Sequence, residues 1–366
     1  MANIYDYLMW RSDLSFEKDP VHEPDILIFA ALSYTDLSVL QSEALTIEEV
    51  NKRYVAAGIV QSTLIFEPSR LLRMCAESDR YKDVLVENCS CKVDPDQVLQ
   101  FCAVGFRYGE NKVVVAYQGT DTSLAGWQED LYFSAVDVTK AQKLAVEYLF
   151  EYYGKTDDEL ILAGHSKGGN LVQYALANVD EGLQERIEMA WSLDGPGFRS
   201  DFVKSEAFAK MAKKMTRIVP EQSFVGMLME NPVEPVVIKS DALLTAQHLP
   251  DTWQIMGIHF ERASLSAFSM FVHQSVKKWL DNMSDEEKLH FIDNVFAMMA
   301  SGGAETLDDM VNKPLKSSRA MISTLIRMDK STQQKLGDVV GKLLNASGGT
   351  IFENAKNSLF KDRKQE

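Results

Sequence analysis

The pattern of apolar and polar positions changes character near residue 262. Upstream, short β-branched and aromatic runs alternate with stretches in which apolar residues recur every three or four positions, the periods of strands and helices. Ile26–Ser33 is an apolar run rich in Ala and Leu and predicts a buried helix. Gln100–Tyr108 and Lys112–Gln118 flank Gly109-Glu110-Asn111 and read as the two strands of a hairpin. Thr139–Tyr153 places Leu144, Ala145, Tyr148, Leu149 and Tyr152 on one helix face. Glu159–Ala163 is a short apolar strand running into Gly164, and Leu171–Val179 reads as a helix. Glu188–Leu193, Met215–Val219 and Val236–Lys239 are further strand candidates. Strands separated by helices imply a mainly parallel sheet covered on both faces.

Beyond residue 262 the strand runs stop. Leu265, Phe268, Phe271, Val272, Val276 and Trp279 fall at helical spacing. Ser284-Asp285-Glu286-Glu287 opens another helix as a capping box, in which the Ser side chain accepts from the Glu287 amide and the Glu reaches back. Two or three further helices fit residues 305–345, with Gly302-Gly303 and Gly348-Gly349 as breaks. The division predicts an α/β domain over residues 1–261 and a helical accessory region over 262–366.

Composition narrows the classes. Of 366 residues, 46% are hydrophobic and 25% charged, the balance of a globular chain rather than a disordered one. The net charge of −15 disfavours nucleic acid and anionic lipid as general partners. No apolar run approaches the roughly 18 residues needed to span a bilayer. The start, Met1-Ala2-Asn3-Ile4-Tyr5-Asp6, lacks the basic and apolar regions of a secretory signal. Cys75, Cys89, Cys91 and Cys102 are too few and too clustered for a secreted disulfide framework, and the C-x-C pair has no second pair to complete a metal site. The expectation is a reduced, cytoplasmic protein without metal or other cofactor.

The segment that carries chemistry is Glu159-Leu-Ile-Leu-Ala-Gly164-His165-Ser166-Lys167-Gly168-Gly169-Asn170. It is a G-x-S-x-G motif with a strand before it and a helix after it, the context of a nucleophile elbow. The turn is so tight that Gly164 and Gly168 are needed where side chains collide. It lifts the Ser166 hydroxyl to the top of the sheet, at a helix N-terminus whose dipole and Lys167 amide face a developing oxyanion.

A serine nucleophile needs a base, and the chain offers six histidines. His22 precedes the elbow. His165 adjoins Ser166, with its ring expected to point away from the site. His273 and His290 fall within helical patterns. His248, in the loop-like Ala246-Gln-His-Leu-Pro250, is the first choice and His259 the second. Two carboxylates are candidates for the residue that orients the base. Asp194 follows the strand Glu188–Leu193 and opens the turn Asp194-Gly-Pro-Gly197; Glu221 follows Met215–Val219 with Pro220 between.

These segments resemble the class 3 lipase family. Val113-Val-Val-Ala-Tyr-Gln-Gly119-Thr120-Asp121-Thr-Ser-Leu-Ala-Gly-Trp127-Gln-Glu-Asp130-Leu131 is similar to the family's strand, its Arg-Gly-Thr/Ser turn and its Trp-x-x-Asp-Leu stretch. Gly164-His-Ser-Lys-Gly168-Gly169 is similar to its elbow. The resemblance spans roughly residues 25–260 and implies an α/β-hydrolase fold. It also implies an oxyanion hole formed by Thr120 and the Lys167 amide, and a lid from about Thr122 to Ala135. Two positions depart from the family. Gln118 replaces the Arg before Gly119, and Ser223 falls where the family's acid follows a strand laid on Arg217-Ile-Val. Asp194-Gly-Pro-Gly-Phe198, Ser223-Phe-Val-Gly226 and the helical tail also resemble a bacterial group of lipase-like proteins.

The expected activity is hydrolysis of a carboxylic ester, of a lipid or another small acyl compound, through an acyl-enzyme on Ser166. The alternatives are a thioesterase with the same residues, or a non-catalytic hydrolase-like scaffold that binds a lipid or a protein partner through its helical tail.

Overall fold

A computed structural model of the chain describes residues 2–40, 43–59, 66–301 and 303–306. The chain enters through α1 (Ile4–Arg11) and α2 (Glu23–Leu32); every residue of α2 from Pro24 onward is buried, as its continuous apolar run requires. There follow β1 (Leu45–Thr46), α3 (Ile47–Ala56), α4 (Pro68–Ala76), β2 (Leu85–Asp94), β3 (Leu99–Gly109) and β4 (Lys112–Tyr117). Next come α5 (Leu124–Tyr132), α6 (Lys140–Tyr153), β5 (Glu159–His165), α7 (Lys167–Asn178), α8 (Glu181–Arg186) and β6 (Ile187–Leu193). The central region closes with α9 (Ser200–Val203), α10 (Glu206–Met211), β7 (Met215–Pro220) and β8 (Val236–Ile238). A small ribbon of β9 (Ile255–Met256) and β10 (His259–Phe260) precedes α11 (Ala267–Asp281) and α12 (Asp285–Ala300).

The first eight strands form one sheet in chain order. β1 to β4 pair antiparallel, and β4 to β8 pair parallel. Alternation along β4 sends Val114 and Ala116 to a core shared with α1–α4, while Val113 and Val115 enter a second core with α6 and α7. The sheet is therefore covered on both faces. With α7 springing directly from the end of β5, this is an α/β-hydrolase fold.

The hairpin, α6 and strands β5 to β8 form where their periodicity predicts them. β1 and β2 do not announce themselves. β2 reads Leu-Val-Glu-Asn-Cys-Ser-Cys-Lys-Val-Asp, a polar strand with a register shift between Glu87 and Ser90 and Asn88 at φ 53°. It is held by pairing with β3 rather than by burial, so it lacks an apolar signature. Pairing of β2 with β3 sets Cys91 opposite Cys102, and the two form a disulfide; Cys75 and Cys89 are free. The expectation of four reduced cysteines is corrected at that pair, because the sequence separates residues that the sheet register makes neighbours.

Met1–Leu289 and His290–Glu366 are two compact units, and α11 belongs to the first. The Ser284 cap forms as expected, with Glu287 N–H donating to Ser284 Oγ at 3.2 Å and Ser284 N–H donating to Glu287 Oε2 at 2.9 Å. The helices expected over 305–345 fall almost wholly outside the described residues. Among the described residues, no helix is long and apolar enough to cross a membrane.

Candidate active site

The elbow follows from steric necessity. Ser166 sits between β5 and α7 at φ 58°, ψ −128°, a conformation in which a non-glycine residue is strained. A Cβ on Gly164 would collide with the Gly168 carbonyl, and one on Gly168 with the Tyr117 carbonyl. Only glycine allows β4, β5 and α7 to approach this closely. The Ser166 amide donates to the Leu193 carbonyl at 3.0 Å, tying the turn to the end of β6. Ser166 is 9% exposed. Lys167 occupies the first helical position, where a backbone N–H has no partner within its helix.

Asp194 and His248 meet. Asp194 follows β6 at φ 50° and is fully buried; His248 ends a short 3₁₀ turn, Leu244–His248, after β8. His248 Nδ1 lies 2.6 Å from Asp194 Oδ2. Because a carboxylate oxygen accepts, Nδ1 is the donor, and in a neutral ring this leaves Nε2 as an acceptor. The other Asp194 oxygen accepts from Ser223 Oγ at 2.5 Å and from the Gly226 amide at 3.1 Å. Burial by itself pushes the Asp194 carboxyl up, but the bond and charge of His248, with the Ser223 hydroxyl, outweigh it and hold it below its ordinary value.

Ser223, where the resemblance puts an acid, thus supports a carboxylate supplied by the preceding strand. Glu221 stands apart from His248: it opens the loop after β7, its backbone bonded to Ile238 and Ser266. His259 is 61% exposed in its side chain and pairs with Glu23 at 3.4 Å. His273 Nδ1 donates to the Met227 carbonyl.

Thr120 follows β4 and is buried; its hydroxyl donates to Asp130 Oδ2. Burial pushes the Asp130 carboxyl up to about 6 despite the charge of Lys167. The stretch that the resemblance implies as a lid contains α5, which is anchored from beneath. The Lys167 side chain, buried with Glu129, donates to Glu129 Oε2 at 3.1 Å and to the Gln100 carbonyl at 2.6 Å. Glu129 also accepts from the amides of Gln100 at 3.0 Å and Ala141 at 2.9 Å.

His165 is a residue whose place the sequence reading missed. Its ring does not point away. It packs against His248 with centroids 4.5 Å apart and ring planes tilted by 33°, and its Nε2 donates to the His248 carbonyl at 2.8 Å. Tyr34 donates its hydroxyl proton to His165 Nδ1 at 2.9 Å while accepting from the Gly119 amide. A chain of hydrogen bonds therefore links the Gly119-Thr120 loop to the His248 loop through α2's C-terminal neighbour. Burial, then the adjacent His248, lower the His165 pKa to about 3, so the ring is neutral. The sequence signal was the presence of a histidine inside a buried elbow, where a neutral, fully bonded ring is the stable state.

A family model described as Mbeg1-like matches residues 75–297. The chain belongs to the Mbeg1-like family. The match runs from the last two residues of α4 through most of α12 and includes every residue of the Ser166, Asp194 and His248 cluster. No curated protein matches the chain. Among solved structures, it is similar to the crystal structure of M37 lipase, at 15% identity and a TM-score of 0.33 over 55% of this chain and 67% of that one. It is also similar to the native propeptide complex of Rhizomucor miehei lipase, at 13% identity and a TM-score of 0.35 over 64% and 80% of the two chains.

Proposed function

We propose that this Mbeg1-like chain is a serine hydrolase that cleaves a carboxylic ester of a lipid or another acyl compound. The observation that carries the reading is the hydrogen bond from His248 Nδ1 to the buried, ionised Asp194, on a histidine whose ring packs against that of His165, the residue preceding the strained Ser166. In this mechanism Nε2 of His248 takes the proton of Ser166 Oγ as the oxygen attacks the ester carbonyl. The Lys167 and Thr120 amides hold the resulting oxyanion, the Thr120 hydroxyl being engaged by Asp130. His248 returns the proton to the leaving alkoxide, and water then releases the acyl group by the same route. Asp194 stays ionised throughout and stabilises the transient imidazolium. A thioesterase would use the same groups on a better leaving group. The scaffold reading drew on Ser223 in place of an acid; the bond between His248 and Asp194 favours the hydrolase reading over it.

Labelling with a fluorescent fluorophosphonate tests the proposal, with hydrolysis of matched oxygen esters and thioesters to separate the two activities. Wild type is expected to label and Ser166→Ala to stay dark. His248→Ala and Asp194→Ala are expected to lower the labelling rate by about 1,000-fold or more, and Glu221→Ala by less than about twofold. A folded wild type that never labels, or labelling that persists in Ser166→Ala, defeats the proposal.

A further inference from the structure

The sheet assembles three sulfurs that the sequence keeps in two places. Cys89 lies in the irregular stretch of β2, with its Sγ 3.8 Å from that of Cys91, and the β2–β3 register brings Cys102 against Cys91. The three Sγ atoms all lie within 4.8 Å of one another, and those of Cys89 and Cys91 are 3.8 Å apart. Cys91 is exposed, Cys89 half-buried and Cys102 buried, so the set is rooted in the fold and open on one side. Cys91 also lines a groove of about 610 Å³ with Lys92, Asp94, Lys140, Lys143 and Glu147, which opens this side of the cluster to solvent.

We propose that, with the Cys91–Cys102 bond reduced, Cys89, Cys91 and Cys102 form a three-thiolate site for a soft d¹⁰ cation such as Zn²⁺. The spacing suits that chemistry. Four ligands around zinc at Zn–S of about 2.3 Å stand about 3.8 Å from one another, which is the Cys89–Cys91 separation. Cys91 and Cys102 have Cα atoms 4.0 Å apart on adjacent strands, so side-chain rotation alone moves their freed sulfurs to that spacing. Soft thiolates select Zn²⁺ and Cu⁺ over hard cations. No fourth His, Cys, Asp or Glu joins the cluster among the described residues, so water or an external ligand completes the shell.

The redox step balances. A dithiol reductant gives two electrons and two protons to the disulfide, closing into its own cyclic disulfide and leaving two thiols. The cation then displaces one proton from each of the three thiols.

The test is titration of the full-length chain with Cd²⁺, before and after dithiol treatment and desalting, followed by thiolate-to-metal charge-transfer absorbance. One ion per reduced chain is expected, displaceable by Zn²⁺, with binding weaker by on the order of 100-fold in the unreduced protein. Cys89→Ser, Cys91→Ser and Cys102→Ser should each lose at least as much, whereas Cys75→Ser, on α4, should bind as wild type. Circular dichroism checks that each variant is folded. Cys89 makes no disulfide, so Cys89→Ser is the variant least exposed to folding defects. Binding unaffected by reduction, or undiminished in Cys89→Ser, overturns the site; so does the absence of binding to reduced wild type.

Discussion

His165 shows how a single side chain joins two loops. Its ring is held neutral between the Tyr34 hydroxyl and the His248 carbonyl, and the second contact fixes the backbone of the proposed base. The pH dependence follows. An unfolded histidine titrates near 6.5, whereas folded His165 titrates at about 3. Between those values the unfolded chain binds a proton that the folded chain refuses, so the contribution is full above about pH 6.5 and is lost as the pH falls towards about 3. Urea unfolding of His165→Asn across this window is expected to give a slope of stability against pH shallower by up to about 1.4 kcal/mol per pH unit. A slope equal to wild type would mean that the ring titrates normally in the folded protein. At the same scale Asp194 prevails over Glu221 as the partner of His248 because a turn at φ 50° aims its carboxylate inward, where two further donors hold it.

At the scale of the element, α5 is the part whose behaviour the ion pair decides. Trp127 and Leu131 are 44% and 43% exposed, the outward face of a short helix whose inner face carries Glu129. Lifting α5 as a rigid lid requires drawing Glu129 from Lys167, from the Gln100 amide and from the start of α6. Lys167→Met leaves Glu129 buried without its counter-charge, held only by the Gln100 and Ala141 amides, and is expected to cost about 3–5 kcal/mol in denaturant unfolding. The double variant Lys167→Met with Glu129→Leu should cost clearly less than the sum of the two single changes. Additive costs would show that the pair is not coupled and that α5 is held by other contacts.

For the whole molecule, the parallel part of the sheet explains why residues far apart in the chain converge. Thr120 follows β4, Ser166 follows β5, Asp194 follows β6 and His248 lies in the segment after β8, so all emerge beyond the carboxyl ends of parallel strands, where open α/β sheets place their sites. All four lie in the Met1–Leu289 unit. A chain ending at Ser301, which retains all of α12, is therefore expected to label with fluorophosphonate at a rate within about twofold of full length. Loss of labelling by a folded truncated protein would mean that residues beyond 301 help to form the site.

The sequence by itself determined the elements whose side chains alternate at a fixed period against a core: α2, the β3–β4 hairpin, α6 and the strands from β5 to β8. It also determined the elbow, since glycines at 164 and 168 around Ser166 are a local requirement of a tight turn. What it could not decide depends on neighbours supplied by pairing and packing. β2 is polar and exists through its ladder with β3; the disulfide and the third sulfur exist through that ladder's register. The choice of Asp194 over Glu221, the inward ring of His165, the support that Ser223 lends and the burial of Lys167 against Glu129 all depend on distances between segments tens of residues apart. Periodicity describes one element facing one core, and such contacts arise only when several elements close on the same space.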